Sequence, residues 1–226
     1  MEKKTIIIIS IISVTISMIY LLLQYFGLLR YVGLYLFSSE NYIKNYKNLD
    51  KIDQSNRTVI SLTTTPEKMK KITPVISSLL DQTVRVDSIY ITVPRGSQYK
   101  LPKNLKDVVT VFRTKQYKDD LSPILSTLMR EGEFNTQIIV LGDSTIYGKD
   151  FIERMIDESN KEPNKIIYVN NKDYINLKKG VIFKTNFFKE DIMDSGDKVD
   201  YNEFVNNYFK NFPKKRISYT ENYYKI

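Results

Sequence analysis

Neither histidine nor cysteine occurs in this chain of 226 residues, and tryptophan is absent as well. Without cysteine there is no disulfide, no thiolate zinc site and no cysteine nucleophile. Without histidine, Ser-His-Asp chemistry, imidazole general bases and histidine-ligated metals are excluded together. Any catalysis therefore rests on Asp, Glu, Lys, Tyr or a metal held by oxygen ligands. No Gly-rich phosphate loop of the Walker or dinucleotide type is present, which argues against P-loop kinases and nicotinamide enzymes.

What is present is a basic, apolar-rich chain. Lys and Arg number 34 against 26 Asp and Glu, a formal charge of +8, and 42% of residues are hydrophobic. The apolar share supports a folded core, and the abundance of Lys, Ile, Asn and Tyr matches AT-rich codons. The basic residues are spread along the whole length, with no basic helix and no nucleic-acid motif, so no nucleic-acid partner is expected. Affinity for phosphate-bearing ligands or an anionic membrane surface fits that charge, and so does simple solubility.

Thr5 to Phe26, TIIIISIISVTISMIYLLLQYF, holds 22 residues without a charge. At about 1.5 Å per helical residue it spans a hydrocarbon core of about 30 Å. It is longer than the apolar part of a cleavable signal peptide, and no Ala-x-Ala site follows. Lys3 and Lys4 precede it and only Arg30 follows closely, so the positive-inside rule puts the amino terminus in the cytosol. We therefore expect a cytoplasmic tail at 1–4, a single-pass transmembrane signal anchor at 5–26, and a juxtamembrane stalk at 27–57. A globular domain then occupies 58–226 on the lumenal or extracellular side.

From Thr58 onward, strand-like and helix-like runs alternate. Strands are predicted at Thr58–Leu62, Ser88–Val93, Val108–Phe112, Gln137–Leu141 and Lys165–Val169, all short, β-branched and apolar on both faces. Helices are predicted at Glu67–Gln82, Leu121–Arg130 and Asp150–Asn160. Thr65-Pro66 supplies a start for the first of these, with Thr as cap and Pro at the first helical position. Alternation of this kind predicts an α/β fold, a mainly parallel sheet flanked by helices. Ligands of such sheets gather at the carboxyl ends of strands. Two strand ends stand out: Thr63-Thr64-Thr65-Pro66 and Gly142-Asp143-Ser144.

The stretch RTVISLTTTPEKMKKITPVISSLLDQTVRVDSIYITVP resembles the opening of small GT-A glycosyltransferases of bacteria and large DNA viruses. Those proteins begin with a strand, Thr-Thr-x-Pro-Glu-Arg, a helix ending in Gln-Thr, and a second strand ending in Val-Pro. The matching residues are Thr63, Thr64, Pro66, Glu67, Lys68, Gln82, Thr83, Val93 and Pro94. A thinner similarity continues to about Lys189, where GVIFKTNFFKEDI is similar to the family's acceptor-side strand and helix. The resemblance implies a GT-A-like, Rossmann-like sheet and transfer of a sugar from a nucleotide-sugar donor to a glycan or protein acceptor. It makes Thr63, Thr64 and Lys68 donor-site candidates. Helix capping for Thr64 and Thr65, and a solvated helix face for Lys68, are the competing readings.

The family's Asp-x-Gly-Pro-x-x-Lys block becomes Asp120-Leu121-Ser122-Pro123-Ile124-Leu125-Ser126, with Asp120 kept as a donor-site candidate and the Lys replaced by Ser126. Its acidic cluster, often Asp-Asp-Asp-x-x-Tyr, becomes Gly142-Asp143-Ser144-Thr145-Ile146-Tyr147. The resemblance implies Mn²⁺ or Mg²⁺ at this cluster, and Asp143 is the one carboxylate left to bind it. A turn residue after a strand is the alternative role for Asp143. An inverting transfer also needs a carboxylate base. Asp200 is the candidate among the acids at 190–203, a helix cap being its alternative. Lys214, Lys215 and Arg216 either meet a diphosphate or are solvated. Two functions stay open: an active glycosyltransferase, or a catalytically inactive relative that binds a glycan, a nucleotide or a partner protein at the membrane.

Overall fold

A computed structural model of the chain describes residues 3–25, 27–51, 56–99, 101–114, 121–131, 135–170, 175–188, 209, 212–219 and 224–225. The chain forms two compact units, Met1–Phe37 and Ser38–Ile226.

The first unit carries the helix α1, Lys3–Tyr25, and the shorter α2, Leu28–Leu36. None of the 23 residues of α1 is buried, and its mean hydropathy reaches 2.7. It is long and apolar enough to cross a membrane. Gly27 separates the two helices with φ at 66°, a left-handed conformation that glycine adopts at no steric cost.

The second unit begins before the expected globular boundary. The segment read as a polar stalk contains a helix, α3, Ser39–Lys47. Ser38 caps it by accepting from the amide of Glu40. Ser39, Ile43 and Tyr46 are buried at i, i+4 and i+7, and the last two enter the main core. The helical period was hidden in the sequence because two of these three positions carry hydroxyls. Burial of Ile43 alone favours docking by about 1.5–3 kcal/mol. Tyr46 is locked further: its hydroxyl donates to the carbonyl of Val86 at 3.3 Å and accepts from that residue's amide at 3.1 Å. Burial, the largest cause, pushes this phenol up to about 12.

After α3 the elements are β1 (Thr58–Thr63), α4 (Pro66–Met69), α5 (Thr73–Leu80), β2 (Ser88–Pro94), β3 (Val109–Thr114), α6 (Ser122–Leu128), β4 (Gln137–Leu141) and β5 (Thr145–Ile146). They continue with α7 (Phe151–Lys161), β6 (Ile166–Val169), β7 (Val181–Lys184), β8 (Lys214–Ile217) and β9 (Tyr224–Lys225). Among the described residues, seven strands form one sheet in the order β3-β2-β1-β4-β7-β6-β8. β1 to β4 run parallel, while β7 is antiparallel to both β4 and β6.

Alternate residues of each central strand serve two cores. Ile60 and Leu62, Ile139 and Leu141, Ile167 and Val169 face the core that holds α3, α5 and α7. Val59, Ile138 and Val140, Ile166 and Tyr168 face the opposite core with α6. The expected α/β sheet flanked by helices is therefore present. The helix expected over 67–82 is broken in two. Pro74 has no amide hydrogen, and its ring excludes the carbonyl of Lys70 from a continuous helix.

Candidate functional site

The chain adds β2 and β3 on one side of β1 and then places β4 on the other. Neighbouring connections thus leave in opposite directions between β1 and β4, the topological switch point where α/β sheets open a crevice. Both candidate strand ends meet there. Thr63 ends β1, and Gly142-Asp143 follow β4. The crevice floor is a pocket of about 10 Å³ lined by Thr63, Pro123, Gly142, Asp143 and Lys178 among others.

Lys68 reaches this crevice from the last residues of α4. Thr65 caps that helix by accepting from the Lys68 amide, and Pro66 follows at the first position, as expected. The Lys68 ammonium lies 3.1 Å from Asp143 Oδ1. Its side chain is 47% exposed and that of Asp143 only 9%. The same oxygen accepts from the Ser144 hydroxyl at 2.8 Å.

Tyr147 organises the loop between these residues. It is fully buried. Its hydroxyl accepts from the Gly142 amide at 2.7 Å and donates to the Gly142 carbonyl at 3.1 Å. Burial, the largest cause, pushes its phenol far above the ordinary tyrosine range, so it stays protonated and serves as a pin rather than a base. Gly142 is required by close approach: a Cβ there would stand 2.6 Å from the carbonyl oxygen of Lys178. Gly180, with φ at 123°, lets the chain turn from Lys178-Lys179 into β7.

Lys178 was not anticipated. It belongs to a short 3-10 turn, Leu177–Lys179, and its backbone is held against Gly142 beside Asp143. The only sequence signal was a Lys-Lys-Gly triplet ahead of a strand. Lys179 points elsewhere, donating to Asn170 Oδ1 at 3.2 Å.

The other candidates are distributed as follows. Thr64 is fully buried, its amide donates to the Thr92 carbonyl at 3.1 Å and its hydroxyl to the Thr65 carbonyl at 3.4 Å. It holds the turn. Asp120 and Asp200 lie outside the described residues. Ser126, standing where the family has lysine, bonds to Thr92 Oγ1 at 2.6 Å. Lys215 pairs with Glu158 at 2.9 Å and Glu162 at 3.6 Å on and just beyond α7, so it has carboxylate partners without any diphosphate. β7 starts near the crevice at Val181 but runs antiparallel to β4, so Lys184 ends opposite Gln137. Phe187 and Phe188 are therefore carried to the far end of the sheet.

The Gln-Thr pair of the resemblance acts in packing. Gln82 Nε2 donates to the carbonyls of Ser78 and Gly148, each at 2.7 Å, and its Oε1 accepts from the Ile152 amide at 3.0 Å. That single buried amide ties α5 to the start of α7.

Among the described residues the donor set around Asp143 is a poor fit for Mn²⁺ or Mg²⁺. Such hard cations take about six oxygen ligands, many of them from water and substrate phosphates, but they still need a protein carboxylate oxygen open to them. Here one carboxylate oxygen already holds an ammonium and a hydroxyl. Among the described residues no group of three acidic side chains converges to hold a metal ion.

No family model and no curated protein matches the sequence. Among solved structures, HddC from Yersinia pseudotuberculosis matches with a TM-score of 0.54 at 13% identity, over 75% of this chain and 93% of that one. S. aureus TarS 1-349 matches with a TM-score of 0.52 at 10% identity, over 74% of this chain and 60% of the other. A further TarS structure gives 0.50 at 11% identity, and this chain spans 36% of it. The fold is GT-A-like. At these identities the likeness concerns the fold alone, and the chemistry rests on the residues in the crevice.

Proposed function

We propose that the β1/β4 crevice binds a nucleotide-sugar donor and that the chain is a membrane-anchored, glycosyltransferase-like protein. It would transfer the sugar to a glycan or protein acceptor on the lumenal or extracellular side. The observation that carries this reading is the meeting of Thr63, Lys68, Asp143 and Lys178 at the switch point of a GT-A-like sheet. The floor pocket has room for about one water, so a nucleotide lies across its mouth, against those side chains.

If the transfer is inverting, its carboxylate base would be Asp200, the candidate among the acids at 190–203. Asp200→Asn should abolish transfer while leaving donor binding in place. TarS 1-349 is known in complex with UDP, which makes UDP and UDP-sugars the first probes and GDP-sugars the second. Calorimetric titration of the full chain in detergent micelles tests the reading. Saturable binding of one nucleotide-sugar supports it, and no binding of any overturns it.

A second reading, a binding protein without transferase activity, is favoured by one observation: the sole carboxylate of the cluster is occupied by Lys68. Saturable donor binding without release of the nucleotide, with acceptor glycans supplied, would select it.

A further inference from the structure

We propose that Lys68 and Lys178, rather than a divalent cation, neutralise the diphosphate of the bound nucleotide. The inference rests on the nucleotide-sugar reading and concerns how that site handles charge.

A dication drawn to a nucleotide diphosphate still takes one or two carboxylates from the protein, and here the Asp143 oxygen that faces Lys68 already holds that ammonium and the Ser144 hydroxyl. The crevice presents two lysines and one aspartate among its described charged residues. An ammonium on Asp143 Oδ1 also repels any dication seeking the same oxygen. The site is therefore matched to an anion.

The two lysines are placed differently. Lys178 has a fixed base: its backbone is wedged against Gly142, where a Cβ would meet its carbonyl at 2.6 Å and its own Cβ at 3.2 Å. The residue lines the floor of the crevice and is exposed, so its stem starts at the crevice. Lys68 sits on a capped turn, half exposed, with a long flexible stem. Before a nucleotide arrives, Asp143 keeps the Lys68 ammonium at the crevice. A diphosphate carries more negative charge than one carboxylate, and lysine is a mobile point charge well suited to phosphate. Lys68 then transfers its ion pair from Asp143 to the phosphate oxygens. Asp143 acts as a holder for the lysine, the reverse of a metal ligand.

The reversal gives variants of opposite sign. Isothermal titration of UDP and GDP into the full chain in detergent micelles is run once with EDTA and once with MnCl₂. The tighter nucleotide should bind with affinities within about twofold of each other in the two buffers, because no metal joins the site. Lys68→Ala and Lys178→Ala should each weaken binding about tenfold, the worth of one charge-assisted contact. Lys68→Arg should retain most of the affinity, which separates charge from folding. Asp143→Asn should bind as well as the parent or better, since it frees Lys68 and removes a repelling carboxylate. Tightening by Mn²⁺ of about tenfold or more, or loss of binding in Asp143→Asn with an unchanged melting curve, overturns the inference and leaves the nucleotide-sugar reading standing. Failure of every nucleotide in both buffers overturns that reading and this inference with it. Mn²⁺ binding to the nucleotide-free chain, followed by electron paramagnetic resonance, overturns the inference alone.

Discussion

The Tyr147 hydroxyl closes a ring on Gly142, accepting from its amide at 2.7 Å and donating to its carbonyl at 3.1 Å. One phenol thus satisfies both backbone groups of the residue before Asp143, in a fully buried position. Tyr147→Phe keeps the ring and its packing on Phe151, whose centroid lies 5.0 Å away. It leaves the Gly142 amide without that partner, which costs about 1–3 kcal/mol. Chemical denaturation should show that loss, and nucleotide affinity should fall because the Asp143 loop is no longer pinned.

Tyr219 and Asp150 give the fold an acid-sensitive joint. The Tyr219 hydroxyl donates to Asp150 Oδ1 at 2.5 Å, and Tyr219 also stacks edge-on against Phe151 at 5.1 Å. Burial raises the Asp150 carboxyl, but the bonds from Tyr219 and Arg154 outweigh it and hold the group below its ordinary value. A depressed carboxylate contributes stability that is present above its unfolded value, about 3.9, and lost as pH falls through the folded one. Tyr219→Phe should therefore destabilise the chain by about 1.5–3 kcal/mol near neutrality. The difference from the parent should close as pH drops below about 4, measured by denaturant melts across pH.

At the amino-terminal end of the sheet, Arg57 grips Glu131 through Nε at 2.6 Å and through its terminal nitrogen at 3.1 Å. Tyr90 donates to the same carboxylate at 2.6 Å. Glu131 is buried, so Arg57→Ala strands a charge and should cost about 3–5 kcal/mol. The pair lies at the opposite strand ends from Asp143. UDP affinity of the folded variant should be unchanged, which makes it a control for stability effects at the crevice.

Absence of cysteine allows a direct test of orientation. Lys3→Cys and Lys106→Cys each introduce a single thiol, at the first residue of α1 and on an exposed turn of the second unit. A membrane-impermeant maleimide applied to intact cells should label the Lys106 variant only if the globular unit faces outward. Labelling of the Lys3 variant alone would reverse the proposed topology.

Much of the sheet was legible from residues alone. β4 matches its predicted span, Gln137–Leu141, and β1, β2 and β6 differ by a residue at one end. Short β-branched runs buried on both faces have few other homes, and Thr65-Pro66 marks a helix start by chemistry local to two residues. What escaped depended on tertiary contact. α3 was hidden because its buried face is Ser39, Ile43 and Tyr46 rather than a leucine stripe. Lys178 enters the crevice only through the close approach of its backbone to Gly142, which no periodicity encodes. The residues of the Thr-Thr and Gln-Thr blocks proved divided in role: Thr63 lines the crevice, while Thr64 and Gln82 spend their polar groups on the chain itself. The thinned acidic cluster was visible at once, but the lysine that partners its aspartate was 75 residues away.

The β1/β4 crevice is the proposed binding place of the nucleotide-sugar. Hydrogen–deuterium exchange of the full chain in micelles, with and without a saturating UDP- or GDP-sugar, tests it most directly. Added protection is expected at 63–68, 141–147 and 176–180, with little change elsewhere. A second hollow, lined by Lys47, Lys51, Arg85 and Asp87 among others, lies at the other end of the strands. Binding with protection confined to 47–51 and 85–89, and none at the crevice, would contradict it.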